Sequence, residues 1–220
     1  MVRILVHLCR GERQKRVTEL HLHFEKAPKG KVPFIEYQEK LIGDSTLILE
    51  MFEEKEGIDL DRGLTASDRA ISLAFRRMLK ENDYWGIVYL RYSVPENWEI
   101  YRKIIATIIY PEVPPSEWEP KVEEFGEKIR NQMYGHGLSR HSSSEICQII
   151  NADFQALSDF LADKPFFMGE RPTTLDATAY ASIGNVIKPP FKSPIVDYVA
   201  KLDNLCQYYE RMKKEFFSEI

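Results

Sequence analysis

A chain of 220 residues that is 44% hydrophobic and 29% charged has the make-up of a globular protein with one large core or two modest ones. Its formal net charge of −4 excludes a general polyanion binder, although residues 1–31 hold eight Lys/Arg against three Asp/Glu, and the scattered cysteines Cys9, Cys147 and Cys206 exclude a disulfide framework or a CxxC metal motif. The densest apolar run, residues 104–110, is far shorter than a membrane span and stops at Pro111, and residues 2–8 do not read as a secretory signal, so the expected setting is the cytoplasm, with no membrane and no nucleic acid as partner.

In chain order, residues 3–8 read as a first strand. Residues 17–24, Val-Thr-Glu-Leu-His-Leu-His-Phe, alternate in polarity with period two and read as a second. Ala27-Pro28-Lys29-Gly30 breaks the run, and Phe34–Tyr37 with Lys40–Ile42, separated by Gln38-Glu39, form a tight hairpin. Ser45 is the expected N-cap of a helix whose inner face carries Leu47, Ile48, Met51 and Phe52, with Gly57 ending it.

From Thr65 the period turns helical. Thr65 and Asp68 make a capping box, and Ala70, Ile71, Ala74, Phe75, Met78 and Leu79 trace the inner stripe of a long buried helix. Later stripes are Ile146 to Leu161, opened by Ser142 with Glu145; Leu175 to Ile187, opened by Thr173 with Asp176; and Ile195, Val199, Leu202, Cys206, Tyr209 and Phe216, opened by Ser193 with Pro194. Pro111, Pro114 and Pro115 interrupt the helical part once. The organisation is a small α/β unit over residues 1–56, a linker over 57–63, and an all-helical unit over 65–220.

Pro33 cannot donate to a ladder, so it sits at an edge or special turn and leaves the Val32 backbone available to an extended peptide-like ligand. Asp44 and Ser45 stand where a helix begins, so its unpaired amides and the Ser45 hydroxyl suit a carboxylate while Asp44 suits an ammonium. That pair matches the α-carbon end of an amino acid.

The order strand, Val-Pro turn, hairpin, acid-Ser and helix, followed by an all-helical half, resembles the cytosolic glutathione S-transferase superfamily. The blocks DRAISLAFRRMLKENDYW (68–85), MYGHGLSRHSSSEI (133–146) and FFMGERPTTLDATAYA (166–181) are similar to its failed-axon-connections and metaxin-like branch. The resemblance implies a thioredoxin-like N-terminal domain, here shortened at its first strand and helix, and an all-α C-terminal domain. It implies glutathione as ligand or substrate, held by Lys31, Val32, Pro33, Asp44 and Ser45, with a small electrophile as second reactant and a homodimer as assembly. The other activity it allows is a non-catalytic scaffold for protein contacts, like failed-axon-connections proteins.

The superfamily activates glutathione with a Tyr, Ser or Cys after the first strand. Only residues 9–16 join the first two expected strands, too few for a parallel crossover with its helix. The catalytic residue is therefore left unassigned. Cys9 is the one nucleophile in the right neighbourhood, with Arg10 and Arg13 able to lower its pKa, and a spare thiol is the plainer reading. His21 and His23 read as polar strand positions rather than a metal pair, His136 and His141 as hinge residues, and Tyr84, Trp85, Tyr89 and Trp98 as core aromatics or as an apolar wall for the electrophile.

Overall fold

The computed structural model describes residues 17–21, 27–31 and 33–216. The expected first strand, Cys9, Arg10, Arg13, His23 and Val32 lie outside them. Among the described residues the sheet has three strands in sequence order: β1 (Val17–His21), β2 (Phe34–Tyr37) and β3 (Lys40–Gly43). Both pairings are antiparallel, with Leu20 opposite Ile35 and Ile35 opposite Ile42. The segment read as the second strand of a parallel crossover is thus hydrogen-bonded directly to the strand after Pro33. Period-two alternation identifies a strand and says nothing about its neighbour.

The β2–β3 hairpin turns through Gln38 and Glu39, both at positive φ (49° and 64°), the twist that a two-residue hairpin needs even without glycine or asparagine. Helix α1 (Ser45–Glu56) then crosses the sheet. Ile48 and Phe52 pack with Ile35 and Tyr37 into a small core that Ile42, Met51 and Ile58 flank. Leu47, expected on the inner face, is exposed, because one position before Ile48 it is turned about 100° away from the Ile48–Phe52 face. Asp44, not Ser45, caps the helix: its Oδ1 accepts from the Thr46 amide at 2.7 Å, a reach that a side chain one residue earlier makes. Gly57 ends α1 at φ 65°, as expected.

The helical half comprises α2 (Ala66–Arg77), a π-helical turn (Met78–Asp83), α3 (Tyr84–Tyr92), α4 (Pro95–Ile109), α5 (Pro115–His136), a 3₁₀ turn (Leu138–Arg140), α6 (Ser143–Leu161), α7 (Thr174–Ile187), α8 (Pro194–Val199) and α9 (Asp203–Phe216). Its core runs through Leu90, Ile150, Phe154, Leu157, Phe167, Leu175, Ile183, Ile195 and Tyr208, all at most 1% exposed. Each such side chain contributes roughly 1.5–3 kcal/mol on burial. Gly86 lets α3 approach α6 closely, since a Cβ there would lie 2.7 Å from Ile150.

Two stripes differ from the sequence reading. Of the stripe expected along α2 and the turn after it, Phe75, Met78 and Leu79 do pack on the core, whereas Ala70, Ile71 and Ala74 are exposed and Ser72 and Arg76 turn inward instead. An apolar stripe one position away competes with the true face, and Arg76 of α2 donates to Thr174 Oγ1 of α7 at 3.3 Å, a contact that hydropathy does not mark. At the C-terminal end the single expected stripe divides between α8 and α9, where Leu205, Tyr208 and Met212 are buried while Cys206 is only half-buried.

The capping boxes expected at Thr65–Asp68 and Ser142–Glu145 are formed, and the Ser193 hydroxyl accepts from Ile195 N. The third box is part of a larger knot. The Asp176 carboxylate is fully buried and accepts from Thr173 N (2.8 Å), Thr173 Oγ1 (2.9 Å), Phe167 N (2.9 Å) and Tyr208 Oη (3.1 Å). Asp61 in the linker accepts from Thr174 N (2.9 Å), tying the connection between the halves to the start of α7. Replacing Asp176 by Ala should orphan several buried donors at once and cost on the order of 3 kcal/mol. Urea titration checks this as a lowered midpoint with an unchanged slope.

Candidate functional site

A cleft of about 310 Å³ opens between the sheet side and the helical half. On the sheet side it is lined by Lys29, Lys31, Pro33, Asp44 and Ser45; on the helical side the π-turn and α3 supply Leu79, Lys80, Tyr84 and Ile87, and α7 supplies Thr178, Ala181, Ser182 and Asn185. The α7 residues recur at i, i+3, i+4 and i+7, one helix face. Of the five residues singled out from the sequence, the four described ones, Lys31, Pro33, Asp44 and Ser45, line this one cleft.

The sheet wall is built by two turns. The segment 27–31 is closed by a hydrogen bond from Gly30 N to Ala27 O and leads into Pro33 at the head of β2. The β3–α1 junction bends through Asp44, whose φ of 81° and ψ of 122° are costly for a residue with a side chain. The bend lets the Asp44 carboxylate turn back onto the helix start while Ser45 sits on the cleft wall, 5% exposed. With Asp44 doing the capping, the Ser45 hydroxyl is not needed for it. The Ser45 N–H is also among the amides that an α-helix leaves unpaired at its start.

Asp44 is bridged to the opposite wall by Lys80, whose Nζ lies 3.7 Å from Asp44 Oδ1 and donates to Thr46 Oγ1 at 2.9 Å. Partial burial pushes the Asp44 carboxyl up, but the Thr46 N–H, Lys80, the Leu47 N–H and Lys29 outweigh it and hold the group below its ordinary value. The rim therefore combines three ammonium groups, one ionised carboxylate and the positive end of α1. It suits a ligand carrying more than one carboxylate and an ammonium.

Deeper in, Leu79, Ile87 and Ala181 make an apolar patch beside the Tyr84 phenol. Burial pushes the Tyr84 pKa up against the pull of Arg91, so the phenol keeps its proton at neutral pH. Arg91 donates to Asn185 Oδ1, and the Asn185 amide donates to Ala181 O at 2.8 Å, which fixes the far wall.

Of the aromatic residues weighed from the sequence, Tyr84 alone lines the cleft. Trp85 stacks on His136 at 4.9 Å, Tyr89 packs on the helical core, and Trp98 is buried with its indole N–H donating to Glu123 at 2.9 Å. His141 is exposed at the end of the 3₁₀ turn. Among the described residues no group of three or more His, Cys, Asp or Glu is placed to hold a metal ion, and no helix is long and apolar enough to cross a membrane. Lys80, Thr178, Ser182 and Asn185 were not legible as site residues: each lies inside an ordinary helical repeat, and only the packing of α7 against the π-turn brings them to the cleft.

Comparison with known proteins gives this geometry a context. The sequence profile of the glutathione S-transferase N-terminal domain matches residues 15–97, and that of the glutathione S-transferase C-terminal domain matches residues 150–212. The isoprene-epoxide glutathione S-transferase of Rhodococcus sp. (strain AD45) is 34% identical over 87% of this chain and 80% of its own length. The chain belongs to the glutathione S-transferase family. Within that family it is also similar to Failed axon connections of Drosophila melanogaster, 33% identical over 88% of this chain but only 48% of the relative, and to human Metaxin-2, 21% identical over 88% of this chain and 72% of the relative. The described sheet and helices accordingly represent part of the family's thioredoxin-like domain joined to its all-helical domain.

Asp44→Ala should cost about 1 kcal/mol through loss of the cap. Because the folded Asp44 pKa is lowered, its charge-dependent contribution is full above an unfolded pKa of about 4 and is lost as pH falls through the lower folded value. The gap between wild type and variant in thermal unfolding should therefore be widest near neutral pH and narrow below about pH 4.

Proposed function

We propose that the protein binds glutathione in this cleft and joins it to a small electrophile of the epoxide class. The observation that carries the reading is the meeting of Lys31, Pro33, Asp44 and Ser45 on one cleft wall at the open start of a helix. In this reading the γ-glutamyl carboxylate lies against Ser45 and the α1 amides, its ammonium lies against Asp44, and the glycyl carboxylate lies toward Lys29 or Lys31. Val32 supplies backbone pairing to the cysteinyl residue.

The thiol then faces the patch of Leu79, Ile87 and Ala181, where a small apolar electrophile packs beside Tyr84. Its sulfur attacks a strained ring carbon as an S–C bond forms and the C–O bond opens, and the released oxygen takes up the proton that the thiol gave up. The epoxide class is suggested by the name of the Rhodococcus relative. The group that favours the thiolate is left unassigned, Cys9 being a candidate outside the described residues. We place the protein in the cytoplasm.

A scaffold function without turnover is the second reading, supported by the similarity to Failed axon connections and the metaxins. Calorimetric titration with glutathione separates binding from catalysis. The expected outcome is saturable binding weakened at least tenfold by Ser45→Ala, together with conjugate formation from a small aliphatic epoxide. No heat at millimolar glutathione would overturn the binding reading. Binding without conjugation of any epoxide or chloronitroaromatic would leave the scaffold reading standing.

The assembly we propose is a homodimer that covers Leu73, 48% exposed on α2. Leu73→Glu should convert a sedimenting dimer into a monomer without loss of helicity.

A further inference from the structure

Asp83 closes the π-helical turn, is 0% exposed, and neither of its carboxyl oxygens receives an N–H or O–H from the described residues. The group that faces it is another carboxylate, Asp153 on α6, which itself accepts from the Asn82 side chain. We propose that Asp83 carries a proton at neutral pH and donates it in a hydrogen bond to Asp153, and that this bond locks the π-helical turn carrying the Leu79 and Lys80 wall of the cleft.

The surroundings leave little choice. An ionised carboxylate at a fully buried position needs donors or a cation, and without them it takes up a proton instead. No cation is turned toward Asp83 from the packed elements. On α2, Arg76 donates to Thr174 and Arg77 pairs with Glu81 at 3.8 Å; on α3, Arg91 goes to Asn185 and Tyr101. Within the turn, Lys80 is taken by Asp44 and Thr46. On α7, Asp176 is held by Phe167 and Thr173, and Tyr180 stacks on Tyr209. Of the acidic residues on α6 besides Asp153, Glu145 is bound to Ser142 and Asp159 to Gln155.

Burial first, and the Asp153 charge second, both push the Asp83 carboxyl well above its ordinary range. Protonated, Asp83 becomes a donor, and the Asp153 carboxylate in front of it is the acceptor. A single proton thereby joins the widened turn to α6.

The location gives the lock a consequence. A π-turn is a rare and weakly favoured departure from the α-helix, found often beside functional sites. This one presents Leu79 and Lys80 to the cleft, and Lys80 reaches across it to the start of α1. Losing the proton would put two like charges against each other inside the packing that holds the turn in register.

The inference does not depend on what the cleft binds, and its test needs no ligand. The folded Asp83 pKa lies above the unfolded value of about 4, so its contribution to stability is full below that value and is lost as pH rises through the folded pKa. Over that window the folding equilibrium of the wild type, relative to Asp83→Asn, should fall by up to about tenfold per pH unit. The Asn amide can donate to Asp153 at every pH.

Infrared spectra of the full chain at pH 7 should contain a protonated-carboxyl carbonyl band that Asp83→Asn lacks. Amide protection at residues 79–84, corrected for intrinsic exchange, should fall at alkaline pH in the wild type alone. If Asp83→Asn does not fold, Asp153→Asn replaces it: with the neighbouring charge gone, the destabilising window should extend less far to the alkaline side. Absence of a protonated-carboxyl band in the wild type at pH 7, or a wild-type stability profile parallel to that of the variants, would overturn the proposal.

Discussion

The buried carboxylate of Asp176 is the point from which the helical half is organised. A charge with no exposure is tolerable only when donors surround it, and here they come from three separate places: the Phe167 loop, the Thr173 start of α7, and Tyr208 on α9. A loop, a central helix and the last helix are thereby registered to one atom pair. Burial still pushes the Asp176 carboxyl up despite those donors. Asp61 adds the linker to the same helix start through Thr174, so the direction in which the sheet unit leaves the helical unit is fixed at the base of α7.

The cleft inherits its shape from that arrangement. Its far wall is one face of α7 with the π-turn beside it, its near wall is the strained Asp44 bend, and Lys80 reaches from the π-turn to that bend. Strain of this kind persists only where the surroundings over-determine it. The Thr46 amide, the Lys80 ammonium and the close packing of Ser45 do so here. Asp44 thus serves as helix cap, as partner to a cation from the other half, and as the one carboxylate among the described residues on a rim of lysines, with the bend making all three compatible.

Local signals carried much of this into the sequence. Capping boxes at Thr65, Ser142 and Thr173, the Gly57 stop and the Phe34–Ile42 hairpin depend on residues within a few positions of each other, and each can be read without knowing the fold. The α2 face was legible only in part: Phe75 and Met78 pack on the core as their spacing implies, but Ile71 and Ala74 mimic inward positions that Ser72 and Arg76 in fact take. The pairing of β1 with β2 and the meeting of Lys80 with Asp44 are long-range facts that periodicity does not contain. The near wall of the cleft was legible because its residues adjoin in sequence. The far wall was not, because its residues share only a helix face.

The Lys80 bridge has an evolutionary corollary. A cation on a π-turn and an acid at a helix start, contributed by different halves of the chain, form a pair in which a change of sign at one position puts like charges together unless the other changes too. The two positions should therefore vary jointly among relatives. Lineages that abandon the cleft are free to lose both residues while keeping the Asp176 knot, because the knot serves the fold and the bridge serves the opening between its halves.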